Sequence, residues 1–128
     1  MEDFYYRNLK VYEQAKQLVA DVYALTRMFP PQELYGLTNQ IQRAAISVPS
    51  NIVEGMGRFS LKEQIHFIEI AYGSMMETMC QLELSEMLGY ITPEVLTEQD
   101  DKIRRLSRML LGLKHSFEEK QNIINQTR

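Results

Sequence analysis

Apolar side chains return every three or four positions along almost the whole chain, and the strict alternation of a half-buried strand is absent. The first stripe is Val11, Ala15, Leu18, Val22, Leu25 and Phe29. Pro30-Pro31 ends it, because the residue before a proline is pushed out of the helical region. The second runs through Leu34, Leu37, Ile41, Ala45, Val48 and Ile52, and Gly55-Met56-Gly57 is expected to close it with left-handed glycine. Ser60-Leu61-Lys62-Glu63 is a capping-box sequence. It opens a third stripe, Leu61, Ile65, Ile68, Tyr72, Met75, Met79 and Leu82, which stops at Gly89. Thr92-Pro93 supplies an N-cap and a first-turn proline for the fourth, Ile103, Leu106, Leu110, Leu113 and Phe117. Helices are predicted over about 8–29, 33–55, 60–88 and 93–118, and the polar tail from Glu119 is expected to fray.

Connections this short force neighbouring helices to run antiparallel. The pattern predicts an all-α, up-down-up-down four-helix bundle occupying 1–128 as one domain, with the shallow crossings that near-heptad spacing favours. No internal repeat or low-complexity segment interrupts it.

Two features exceed what a plain bundle needs. Pro49 lies inside the second helix, where it removes the donor to the Ala45 carbonyl at a cost of about 3 kcal/mol in an exposed helix. Ser47, Ser50 and Asn51 lie close enough to re-satisfy freed backbone groups. A polar line, Gln40, Arg43, Ser47, Asn51, Glu54 and Arg58, runs beside the apolar stripe. Arg43, Ser47, Pro49, Asn51, Glu54, Gly55 and Arg58 are read as a structural signature. Arg43 and Glu54, about three turns apart, would meet across an interface rather than within the helix. Asn51→Ala or Glu54→Ala is expected to impair stability or assembly. The third helix, for its part, carries Phe67, Ile70, Ala71, Met76 and Leu84 off its main stripe, with Gly73 and Ser74 mid-helix. Either it is the most central helix, or Phe67, Ile70, Gly73, Ser74 and Met76 form an oligomer interface.

Composition narrows the classes. The chain is 45% hydrophobic and 24% charged with a formal charge of −3, ordinary for a globular protein and a poor overall match for nucleic acid. One cysteine, Cys80, precludes an internal disulfide and fits the cytoplasm. The N-terminus lacks the apolar run of a signal peptide, and no apolar run approaches the roughly 18 residues of a membrane span.

Candidate chemistry is sparse. Glu63 and His66 share a helix face, but a di-iron bundle needs two such pairs and further glutamates, and the second pair is missing. Cys80 reads as a small core residue. No metal, cofactor, catalytic residue or small-molecule substrate is expected. The one basic cluster is Lys102, Arg104, Arg105, Arg108 and Lys114. It is either a paired, solvated face or a phosphate-contacting stripe for RNA or DNA, and no aromatic interleaves with it to stack on bases.

Four segments together resemble the 23S rRNA-intervening-sequence protein family: Phe4 to Tyr12, Gln40 to Gly55, Phe67 to Ser74, and Leu88 to Ile91. The resemblance implies a bundle that assembles as a homopentameric ring. It also implies kinship with the accessory variability determinant of diversity-generating retroelements, which works with nucleic acid and a reverse transcriptase. Such relatives are basic, whereas this chain is acidic. The reading is a non-enzymatic, cytoplasmic, oligomeric bundle with nucleic acid as a candidate partner. The alternative is a protein-binding adaptor or scaffold with no nucleic-acid role.

Overall fold

The computed structural model describes residues 3–127. A 3₁₀ turn, Tyr5–Asn8, leads into α1, Lys10–Thr26; a second, Pro31–Glu33, precedes α2, Leu37–Met56; α3, Leu61–Met87, and α4, Pro93–Gln126, complete the chain. Each helix packs on its neighbour in sequence, α4 also packs on α1, and among the described residues the backbones of the diagonal pairs stay apart. The described residues thus form an all-α four-helix bundle. Cross-contacts fix two directions. Ser47 meets Ser74 while Gly55 approaches Phe67, and Tyr72 meets Ser107 while Glu69 meets Lys114. Both pairs, α2/α3 and α3/α4, are therefore antiparallel.

The expected stripes supply most of the core. Ala15, Val22, Ile41, Ala45, Val48, Ile52, Met75, Leu82 and Leu110 are completely buried. The α2/α3 seam is built differently from an apolar stripe. Ala44, Ala71, Thr78 and Ser85 line it, all buried. The Thr78 hydroxyl donates to the Ser74 carbonyl (2.8 Å) and that of Ser85 to the Gln81 carbonyl (2.7 Å). Each polar group is satisfied within its own turn, so these residues pack as small side chains and let the two helices close up.

The helix limits depart from the periodicity in three places. The chain leaves α1 at Thr26, although the Met28 and Phe29 amides still bond back to Leu25 and Thr26 and Phe29 stays buried. The segment 31–36 is a tight turn rather than the first turn of α2, so Leu34 drops out of register and is 56% exposed. Glu33 caps α2 instead: its Oε1 accepts from the Leu37 amide (3.2 Å), and its Oε2 accepts from the Tyr90 hydroxyl (2.8 Å), tying that turn to the α3–α4 turn. At the far end α4 does not fray at Glu119. No proline or glycine follows Gly112, and the helix-forming residues beyond it carry the helix to Gln126, supported by the ion pair Lys114–Glu118 and by the 3.2 Å contact of His115 with Glu119.

The glycines also differ from expectation. Gly57 has ordinary helical φ and Gly55 lies inside α2. A Cβ on Gly55 would stand 3.1 Å from Phe67 Cβ and 3.3 Å from the Gln64 carbonyl oxygen, so Gly55 serves close approach to α3. The left-handed glycine is Gly89 (φ 81°). There the Tyr90 amide bonds to Ser85 and the Gly89 amide to Glu86, which is the Schellman closure of α3.

Candidate interaction surfaces

The polar line of α2 and the kink at Pro49 come together on the α3 side. Asn51 Nδ2 donates to both the carbonyl and the hydroxyl of Ser47 (2.8 Å each), and that hydroxyl shares a 2.8 Å bond with the Ser74 hydroxyl. The network ties the proline turn to α3. It does not replace the missing bond at Ala45, since none of the side chains of Ser47, Ser50 and Asn51 donates to that carbonyl. Glu54 pairs with Arg58 one turn on (2.6 Å), and the Arg58 guanidinium lies over the Phe67 ring at 4.6 Å. Arg43 takes no carboxylate among the described residues; it is exposed beside an open groove of about 380 Å³ shared with Gln40, Ser47, Ser74 and Glu77.

The basic cluster is divided by its neighbours. Lys102 binds Asp21 (2.9 Å) and Glu98 (3.5 Å), Arg104 binds Asp100 (2.7 Å), and Lys114 binds Glu69 (3.5 Å) and Glu118 (4.0 Å). Arg105 and Arg108, one turn apart and exposed, have no carboxylate partner among the described residues. Asp21 is the hub between α1 and α4, accepting from Gln17 (2.8 Å), Gln99 (3.2 Å) and Lys102. Burial pushes its carboxyl up, but the hydrogen bonds from Lys102, Gln17 and Gln99 and the lysine charge outweigh this and hold it below the usual range. The same carboxylate raises the Lys102 ammonium.

The five side chains marked as an interface on α3 part company. Phe67 and Ser74 turn towards α2 and take partners there. Ile70, Gly73 and Met76 remain on the surface, and no atom lies within 4 Å of a Cβ placed on Gly73. Leu84 and Met87, at 39% and 68% exposure, extend the apolar face along the helix. Ala71, which the stripe put on another face, is fully buried against the bundle. Cys80 corrects the expectation of a core thiol: it is exposed, because position 80 falls between Gly73 and Met87 on the outer side. Glu63 caps nothing with its side chain but lies 3.8 Å from Arg58, while its amide donates to the Ser60 hydroxyl (3.1 Å); the His66 ring stands edge-on to Phe67. Among the described residues no helix is long and apolar enough to cross a membrane.

A family model described as "23S rRNA-intervening sequence protein" matches residues 7–112. The crystal structure of a protein of unknown function from the S23 ribosomal protein family of Bacteroides thetaiotaomicron has the same fold. It is 23% identical, with a TM-score of 0.75, covering 81% of this chain and 97% of its own. No curated protein matches the chain.

Proposed function

The chain belongs to the 23S rRNA-intervening sequence protein family, and on that footing we propose that it works without chemistry of its own, as the subunit of a cytoplasmic homo-oligomeric ring. The proposed ring is a pentamer, as the family resemblance implies. The observation that carries the reading is the outer side of α3, where Ile70 (37%), Met76 (51%), Leu84 (39%) and Met87 (68%) stand in water around the bare backbone of Gly73. A row of large apolar side chains along one helix is a surface for another molecule, and an oligomer supplies a second copy at every subunit. The test is absolute mass by light scattering at two protein concentrations. The expected result is a stable multiple of 15.0 kDa that collapses to one subunit in Ile70→Glu/Met76→Glu with helicity intact. A wild-type monomer at both concentrations would end the proposal.

Arg105 and Arg108 favour a second reading, contact with nucleic-acid phosphates. Three of the five cations meet carboxylates, so among the described residues two remain free on each subunit, and only repetition around a ring would give useful affinity. RNA binding of this kind falls steeply with salt and disappears in Arg105→Glu/Arg108→Glu. Binding that ignores both would leave the adaptor reading in its place.

A further inference from the structure

A groove between α3 and α4 has a floor and walls of opposite character. Met75, Met79, Leu96 and Ile103, buried or half-buried, form its floor; Glu83, Glu86, Asp100 and Arg104 line it with charge, and Met76 stands half exposed at its edge. It consists of two adjoining volumes of about 430 and 320 Å³ that share Met79, Glu83 and Asp100. One reaches Tyr72 and the other Glu86, so along α3 the trough is about 20 Å long at the helical rise per residue. That is the length of a helix of about four turns. Asp100 is neutralised by Arg104, but Glu83 and Glu86 have no cation among the described residues. None is near in sequence either: no Lys or Arg occurs between Lys62 and Lys102, while acidic residues recur throughout.

We infer that this groove is a docking site for a cationic amphipathic helix of another protein. Methionine suits the floor, because its unbranched, polarisable side chain adapts to the shapes of different apolar residues. An apolar stripe at helical spacing fills such a trough, and Lys or Arg flanking the stripe meets Glu83 and Glu86. An acidic ligand would bring like charges together, and an uncharged one would leave both carboxylates desolvated without a partner. This inference goes beyond self-assembly and does not depend on it.

The probe is a fluorescein-labelled peptide of about 14 residues, leucine and lysine in helical amphipathic register, with a scramble of identical composition beside it. Anisotropy titration should show the amphipathic peptide binding at least about ten-fold tighter than the scramble, a difference of 1.4 kcal/mol. Glu83→Lys/Glu86→Lys should abolish that preference. Glu94→Lys/Asp101→Lys makes the same change of net charge at exposed sites outside the groove and should preserve it. Met79→Glu should abolish it as well, with circular dichroism confirming the fold. Equal binding of peptide and scramble, or equal loss in both charge variants, would reduce the effect to general electrostatics and overturn the inference. Failure of the peptide to bind an assembled wild type, with binding appearing in Ile70→Glu/Leu84→Glu, whose two positions lie outside the groove, would assign the groove to a second copy of the chain and overturn it too.

Discussion

Asn51 and Glu54 sit one turn apart on the same polar line, yet their surroundings assign them different weights. The Asn51 amide closes two bonds to Ser47 and holds that residue against Ser74 across the α2/α3 seam. Glu54 makes one exposed pair with Arg58, of the kind worth only a few tenths of a kcal/mol. Asn51→Ala should therefore cost about 1–2 kcal/mol in a urea titration, and Glu54→Ala less than about 0.5 kcal/mol. Equal losses would mean that Glu54 has a partner outside the subunit. Glycine gives a second contrast. Gly89→Ala forces a side chain into φ 81° and should cost about 1–2 kcal/mol. Gly55→Ala gains about 1 kcal/mol of helix propensity but pushes α2 off the Gln64 carbonyl and Phe67, a clash of about 1–3 kcal/mol, so it too should destabilise. The importance of Gly55 could be read from sequence but its reason could not, because a close approach depends on what lies opposite.

At the scale of elements, what was legible followed from period and punctuation. The stripes of α1 and α4, the Ser60 and Thr92 caps and the Gly89 stop follow from local rules that each segment carries within itself. The α2/α3 seam did not, because Thr78 and Ser85 are polar by composition and buried by virtue of bonding to their own turn. The basic cluster was visible, but its division was not: Asp21, which claims Lys102, lies eighty-one positions away in sequence. That pairing makes the α1/α4 side, the sparsest of the four seams, sensitive to acid. Asp21 titrates below its ordinary value in the folded chain, so its contribution is complete above about pH 4 and is lost as the pH falls through the lower folded value. Asp21→Asn should cost about 1–2 kcal/mol at pH 7. It should also flatten the acid limb of a stability–pH curve measured from pH 6 downward. A variant whose acid limb superimposes on the wild type would place the acid sensitivity elsewhere.

For the whole molecule, Gly73 joins helix energetics to assembly. A glycine in the middle of a 27-residue helix costs about 1 kcal/mol relative to alanine, and nothing within the described residues requires it, since open space surrounds the missing Cβ. If the subunit acted alone, Gly73→Ala would be a simple gain. In a ring that packs on the outer face of α3, the bare backbone lets a second copy approach between Ile70 and Leu84, and an added methyl holds it off. The substitution should therefore act in opposite directions at the two levels. Under dilute conditions that separate subunits, thermal unfolding should shift upward by the few degrees that about 1 kcal/mol yields in a domain of this size. At high concentration, light scattering should show the assembled fraction falling. Stabilisation with assembly unchanged would take the interface away from Gly73 and leave the apolar face of α3 to another partner. Destabilisation of the isolated subunit would mean that the glycine serves the fold after all.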